Sequence, residues 1–92
     1  MTTAHFKGIY TALYRVDDLD RGKAWYAAAL GVAPYFDEPF YVGFNVAGFE
    51  LGLLPPEPGA ATGAGGTVAY WGVEDVQAAW ERLLALGAVA VE

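Results

Sequence analysis

The stretch Phe40-Tyr-Val-Gly-Phe-Asn-Val-Ala-Gly-Phe-Glu-Leu-Gly-Leu-Leu54 decides the fold of this chain. It contains two runs of aromatic, β-branched and aliphatic residues around the dipeptide Ala47-Gly48. Two residues that include a glycine, set between two such runs, are typical of a β-hairpin. A two-residue turn places Asn45 opposite Glu50 on the neighbouring strand. The hairpin therefore predicts the register of the sheet.

Alternation along the two strands sorts their side chains into two faces. One face is uniformly apolar and is expected to pack against helices; its members are Val42, Phe44, Val46, Phe49, Leu51 and Leu53. The opposite face mixes polar, aromatic and small residues, as a ligand cavity requires; its members are Tyr41, Gly43, Asn45, Glu50, Gly52 and Leu54.

Upstream of the hairpin, the pattern predicts a strand over 8–16, a helix over 19–30 and a short strand near 32–36. Asp17-Asp18 is a helix-start signal, and Gly31 ends the helix. In the first strand, alternation assigns two sets of side chains. Thr11, Leu13 and Arg15 belong to the mixed face, and Tyr10, Ala12, Tyr14 and Val16 belong to the core face.

The pattern restarts after a linker over 55–66 that is rich in proline, glycine and alanine. A strand is predicted over 67–73, Glu74-Asp75 as a cap, a helix over 76–86 and a strand from 88 to 91. The strand ends Val16 and Val73 differ by 57 residues, which indicates an internal repeat. The first unit spans about 8–54 and the partial second unit spans 67–92. Two full units need about 114 residues, so the last two strands are expected to be missing.

Composition excludes several classes of protein. The 92 residues are 55% hydrophobic and carry a net charge of −6, which argues against nucleic-acid binding and against anionic membranes. No stretch is long and apolar enough for a signal peptide or a membrane span. The chain has no cysteine, which fits a reducing compartment. We therefore expect a cytoplasmic location.

Four segments together resemble the vicinal oxygen chelate superfamily, which includes glyoxalase I, bleomycin-resistance proteins and extradiol dioxygenases. They are Leu13-Tyr-Arg-Val-Asp-Asp-Leu19, Trp25-Tyr-Ala-Ala-Ala-Leu-Gly31, Phe49-Glu-Leu-Gly-Leu-Leu54 and Val73-Glu-Asp-Val76. The resemblance implies an α+β fold with paired β-α-β-β-β units. These units form a cup-shaped mixed sheet with helices on the outer face, and here the second unit is incomplete.

In metal-dependent members of that superfamily, four equivalent strand positions supply metal ligands. The resemblance places three of them at Thr11, Glu50 and Val68, and the eighth strand, which carries the fourth, is expected to be missing. Threonine is a poor ligand for a transition metal and valine is none. We therefore predict no cofactor, with Glu50 as the one candidate metal ligand, and keep a divalent metal as the alternative.

The predicted function is metal-independent binding of a small organic molecule, planar or cationic, in an acidic, aromatic-lined cup. This resembles the sequestering, drug-resistance branch of the superfamily. The predicted ligand-binding residues are Thr11, Leu13, Arg15, Tyr41, Asn45, Glu50, Val68 and Tyr70.

Each of these residues also has a structural interpretation. Glu50 contacts a ligand, or pairs with Arg15 or solvent at the rim of the cup. Arg15 grips a ligand carboxylate, or pairs with a nearby acid. Tyr41 and Tyr70 stack on a planar ligand, or only pack.

Two other functions stay open. One is a lyase, isomerase or dioxygenase that uses a divalent metal. The other is a module completed by a partner, because an open sheet edge at 89–92 invites strand addition from a second copy. We therefore also expect a homodimer.

Overall fold

The computed structural model describes residues 5, 7–62 and 69–90. The fold is α+β, as predicted, with a four-stranded mixed sheet and two helices. In chain order the elements are β1 (Thr11–Arg15), α1 (Leu19–Leu30), β2 (Phe36–Glu38), β3 (Tyr41–Val46), β4 (Phe49–Leu54) and α2 (Val76–Ala85). The first unit thus has the expected β-α-β-β-β order. Neither described helix has the length and apolar character that a membrane span requires.

The sheet has the order β1-β4-β3-β2, and β1 runs parallel to β4 while the other neighbours are antiparallel. A parallel pair needs a long crossover, which α1 and the two following strands supply. This crossover brings Thr11 opposite Glu50 in the Cα register. The first and last strands of the unit therefore carry neighbouring side chains on the open face.

The hairpin has the predicted register, with Asn45 opposite Glu50 and Val46 opposite Phe49. Ala47 and Gly48 both have positive φ, at 53° and 91°. That combination matches the twist of adjacent strands, which is why such turns prevail in two-residue hairpins. The Asn45 side chain also accepts a hydrogen bond of 2.9 Å from the Gly48 backbone N–H.

The core is small and lies between the sheet and α1. Four of the six side chains predicted for the apolar face are buried; they are Val42, Phe44, Leu51 and Leu53. Val46 is half-buried and packs against them. Phe49 was predicted on the apolar face, but 52% of it is exposed. Its ring contacts Tyr10 in an edge-to-face arrangement. Both rings lie where β1 and β4 begin, and neither is among the residues that pack on the core.

Helix α1 has the predicted bounds because both of its ends are satisfied by local contacts. The Asp18 carboxylate accepts a hydrogen bond from the Arg21 backbone N–H, 3.1 Å away. Gly31 adopts the left-handed conformation at φ 72° and donates its N–H to the Ala27 carbonyl. Leu19, Tyr26, Ala27 and Leu30 pack this helix onto the core.

Strand β2 begins later than predicted, at Phe36 rather than near Val32. Gly31 and Val32 still belong to the turn that ends α1, and Pro34 has no N–H to give to a ladder. The first ladder hydrogen bond toward β3 runs from the Tyr35 N–H to the Gly43 carbonyl, at 2.9 Å.

The second unit has its predicted helix, which the Asp75 carboxylate caps through the Ala78 N–H at 3.0 Å. The prediction of a strand on either side of this helix is wrong for the described residues, because neither 69–73 nor 88–90 forms a strand. The remaining parts of those two segments lie outside the described residues. None of the four described strands pairs with either segment.

Two side chains tie α2 to α1. The Trp25 indole N–H donates to the Leu86 carbonyl at 2.7 Å, and Arg82 donates to the Ala28 and Ala29 carbonyls at the end of α1. The apolar side of α2 nevertheless remains largely exposed. Its exposed members are Val76, Trp80, Leu83 and Leu84.

Candidate functional site

The open face of the sheet centres on Glu50, whose carboxylate is held by two tyrosines. The Tyr35 hydroxyl donates to Oε1 at 2.6 Å, and the Tyr41 hydroxyl donates to Oε2. Strand β4 presents Glu50, strand β3 presents Tyr41, and Tyr35 stands just before β2. Three segments of the first unit therefore meet at one carboxylate.

The hydrogen bonds shift the proton affinities of all three groups. Those from Tyr35 and then Tyr41 lower the pKa of Glu50 and outweigh the opposing effect of burial. Burial, then the bond to Glu50 and its negative charge, raise the pKa of Tyr41 to about 12. The bond to Glu50 also raises the pKa of Tyr35. At neutral pH the cluster is thus an anion held by two neutral phenols.

Two glycines form the floor beneath this cluster. Gly43 and Gly52 face each other across β3 and β4. A Cβ at Gly43 would lie 3.0 Å from the Tyr35 ring, and a Cβ at Gly52 would collide with the Tyr41 hydroxyl. The space left by the glycines is therefore filled by tyrosine rings rather than left open.

An open cavity lies beside the cluster, toward the hairpin turn. It has a volume of about 280 Å³, and its lining comprises Tyr10, Thr11, Tyr35, Asn45, Gly48, Phe49 and Glu50. Three of these residues are aromatic and one is an anion. No lysine or arginine among the described residues forms a hydrogen bond or ion pair with Glu50.

Four of the predicted residues meet around this cluster and its cavity: Thr11, Tyr41, Asn45 and Glu50. Leu13 lies next to them, above Gly52. A Cβ added to Gly52 would lie 2.6 Å from Leu13 Cδ2. The Asn45 amide oxygen is already engaged by the turn.

Arg15 lies at the other end of β1 and does not reach Glu50. Its guanidinium donates to the Pro55 carbonyl at 2.7 Å and pairs with Glu57 at 3.3 Å. The interpretation in which Glu50 pairs with Arg15 therefore does not hold. The interpretation in which Arg15 pairs with a nearby acid agrees with the structure, where that acid is Glu57.

Of the two predicted residues of the second unit, the structure describes Tyr70, which is not brought to this site. Tyr70 is 95% exposed and lines neither the cavity nor the cluster. Val68 lies outside the described residues. The described site is therefore built from the first unit.

Sequence reasoning missed three aromatic side chains of the site: Tyr35, Tyr10 and Phe49. Tyr10 and Phe49 were assigned to the core face by alternation, which ignores how far α1 extends over the sheet. Tyr35 falls in the short strand predicted near 32–36, whose side chains the alternation argument does not sort into faces. A usable signal existed in the facing glycines Gly43 and Gly52, since glycines on adjacent strands let rings lie flat on a sheet.

Comparison with known proteins identifies the family. The profile of the glyoxalase/bleomycin resistance protein/dioxygenase superfamily matches residues 5–92. The chain belongs to this superfamily. Its fold is similar to the solution NMR structure of a protein from Agrobacterium tumefaciens, with a TM-score of 0.72 and 29% identity over 95% of this chain and 77% of that chain. A search of curated proteins finds no significant match.

Among the described residues, the donor set does not fit a divalent metal. Of the positions that the resemblance assigns to ligands, Thr11 is a poor ligand and Val68 has no donor atom in its side chain, which leaves Glu50 as a single carboxylate. Within the described ranges, no three residues among histidine, cysteine, aspartate and glutamate gather closely enough to hold an ion.

Proposed function

We propose that this superfamily member binds a small organic molecule without a metal, in the cavity beside Glu50. The observation that carries the proposal is an ionised carboxylate, fixed by two tyrosines, at the wall of an open, largely polar cavity of about 280 Å³ that three aromatic residues also line. Fixed polar groups of this kind orient a ligand and provide specificity in small-molecule sites. The proposed role is sequestration, as in the drug-resistance branch of the superfamily.

The proton affinities of the cluster favour binding over acid–base catalysis. A general base works best when its pKa lies near the operating pH. Hydrogen bonds from the two tyrosines instead lower the pKa of Glu50, and burial, followed by the bond to Glu50, raises the pKa of Tyr41 to about 12. Both groups therefore hold their protonation states across neutral pH.

Ligand-observed NMR with a set of one- and two-ring aromatic fragments tests the proposal. We expect some fragments to bind, so that their NMR signals are saturated through the protein. Phe49→Ala is expected to weaken their binding by roughly three- to tenfold, because it removes an aromatic ring that lines the cavity. Phe40→Ala is the matched control, since Phe40 is similarly exposed but does not line the cavity. Equal losses in both variants, or no fragment binding, contradict the proposal.

The alternative is a lyase, isomerase or dioxygenase that depends on a divalent metal. Titration of the purified protein with cobalt or nickel separates the two functions. Stoichiometric metal binding that Glu50→Gln abolishes would favour the enzyme. Native mass spectrometry of freshly purified protein reports bound metal and co-purified ligand in one measurement.

A homodimer is part of the proposal. Its support is the apolar side of α2, where Val76 is 74% exposed and Trp80 is 45% exposed. Sedimentation velocity at micromolar concentration is expected to give a dimer, and Trp80→Glu to give a monomer. Gln77→Glu, on the same helix, is the control. A wild-type monomer contradicts the expectation.

A cytoplasmic location stays a prediction from composition.

A further inference from the structure

We propose that the cavity beside Glu50 selects a flat nitrogen cation, an amidinium or guanidinium group carried on an aromatic ring. This inference rests on the proposed function and names the chemical class of its ligand. Three features of the described residues support it: the remaining acceptor capacity of Glu50, the rings around it, and the charges nearby.

Glu50 has acceptor capacity left after both tyrosines have donated to it. An ionised carboxylate offers about four lone-pair positions on its two oxygens. Tyr35 takes one on Oε1 and Tyr41 takes one on Oε2, so each oxygen keeps one free. Two parallel N–H groups of an amidinium or guanidinium match two acceptors of one carboxylate.

The two tyrosines also fix the carboxylate before a ligand arrives. A free glutamate side chain loses rotamer freedom when it binds, and this entropy opposes association. Here the loss has already occurred in the folded protein, because the Tyr35 and Tyr41 hydroxyls hold opposite oxygens. The plane of the carboxylate is therefore set in advance, which favours a planar donor over a tetrahedral ammonium.

The rings around the cavity suit the body of such a ligand. Tyr10 and Phe49 meet edge-to-face with centroids 6.1 Å apart, and both rings are about half exposed. The face of an aromatic ring carries negative potential, which attracts a cation and stacks on a flat apolar group. A cavity of about 280 Å³ accommodates one or two rings rather than a large drug.

The charges near the site favour a cation over an anion. No lysine or arginine among the described residues lines the cavity; Arg15, at the other end of β1, pairs with Glu57, and Lys23 on α1 pairs with Asp37. The whole chain carries a net charge of −6. An anionic ligand would meet an unneutralised carboxylate, whereas a cationic ligand neutralises it.

The experiment compares three compounds of nearly equal shape: benzamidine, benzamide and benzoate. They carry a positive, a zero and a negative charge on the same ring. Binding is measured by ligand-observed NMR and by chemical shifts of ¹⁵N-labelled protein around Phe49 and Glu50. We expect benzamidine to bind roughly millimolar or tighter, and at least about tenfold tighter than benzamide, with benzoate weakest.

Variants assign the selectivity to Glu50. Glu50→Gln is expected to weaken the binding of benzamidine at least about tenfold and that of benzamide less than about twofold. The substitution removes the negative charge of the side chain but keeps its shape. Glu81→Gln on α2 removes the same charge away from the cavity and serves as the control. Should Glu50→Gln fail to fold, the wild-type comparison is repeated at high salt, where benzamidine alone is expected to weaken.

The outcomes separate the two proposals. Binding of benzamide or benzoate at the cavity as tight as benzamidine overturns the cation inference and leaves the proposed function standing. Binding of benzamidine away from Phe49 and Glu50 overturns it as well. Failure of all three compounds overturns the inference, and failure of the wider fragment set in addition overturns the proposed function.

Discussion

Tyr41 is the residue on which the open face depends most. Its ring covers the floor glycine Gly52, and its hydroxyl donates to Glu50. The sequence placed Tyr41 on this face of β3, where it either stacks on a planar ligand or only packs. The structure adds a hydrogen bond from its hydroxyl to the Glu50 carboxylate, which alternation along the strand could not predict.

Tyr41 is expected to ionise about two pH units later than an ordinary tyrosine. Burial first, and then the bond to Glu50 and its charge, raise its pKa from about 10 to about 12. Since the folded value is the higher one, the associated stability is present below about pH 10 and is lost as the pH rises towards 12. Spectrophotometric titration of phenolate absorbance checks this.

In that titration, Tyr41→Phe is expected to remove a late-ionising tyrosine. Tyr35 and Tyr26 also have raised pKa values, so the variant is expected to lose only part of the late stage. A titration of the Tyr41→Phe variant that keeps the full late stage contradicts the assignment.

Gly52→Ala is expected to displace Tyr41 from Glu50 and to cost roughly 1–3 kcal/mol of stability. The new methyl group would collide with the Tyr41 hydroxyl and lie 2.6 Å from Leu13 Cδ2. Gly72→Ala is the matched control, because a Cβ there meets nothing within 4 Å. Urea unfolding gives the stability, and loss of the late phenolate stage gives the displacement. Equal stabilities of the two variants would contradict the close contact.

At the scale of elements, the two helices have similar caps but different anchoring. Asp18 and Asp75 each accept a hydrogen bond from the backbone N–H three residues later. Helix α1 packs on the buried core, whereas α2 is joined to α1 by the side chains of Trp25 and Arg82. We therefore expect the cap of α1 to contribute to global stability and the cap of α2 mainly to local order.

Asp18→Ala is expected to lower the free energy of unfolding by about 1 kcal/mol, the usual effect of losing an N-cap. Asp75→Ala is expected to lower the global value less and to increase hydrogen exchange within α2. Denaturant unfolding followed by circular dichroism, together with amide exchange, separates the two effects. A larger global loss from Asp75→Ala would mean that α2 contributes to the main core.

How well an element could be predicted depended on how local its determinants are. Helix α1 matched its predicted bounds, because Asp18 and Gly31 act within one turn of the chain. The hairpin register matched because Ala47-Gly48 fixes it. Strand β2 was misplaced, because its start depends on where Tyr35 meets Gly43 on another strand.

At the scale of the whole molecule, stability rests on few side chains. The buried core of the described residues consists of Val42, Phe44, Leu51 and Leu53, all from the hairpin. Small domains bury a limited fraction of their surface and are only marginally stable. The same hairpin supplies Tyr41 and Glu50 to the opposite face, so core and site share two strands.

Leu53→Ala is expected to cost about 2–5 kcal/mol of unfolding free energy, because Leu53 is fully buried and the shorter side chain leaves a cavity. That loss approaches the whole stability of a small domain, so a broad or absent thermal transition is expected. Leu84→Ala, at a position 41% exposed on α2, is the control and is expected to unfold cooperatively. Similar melting curves for the two variants would place the core elsewhere.

The sequence by itself determined the α+β class, the order of elements in the first unit, the caps of both helices and the register of the hairpin. These follow from contacts within a few residues, so local pattern suffices. Only the tertiary structure decided that Tyr35 and Tyr41 hold Glu50, that Arg15 turns to Glu57, and that the cavity opens beside Phe49. Those contacts join side chains from different segments, and their partners depend on how α1 and four strands pack in space.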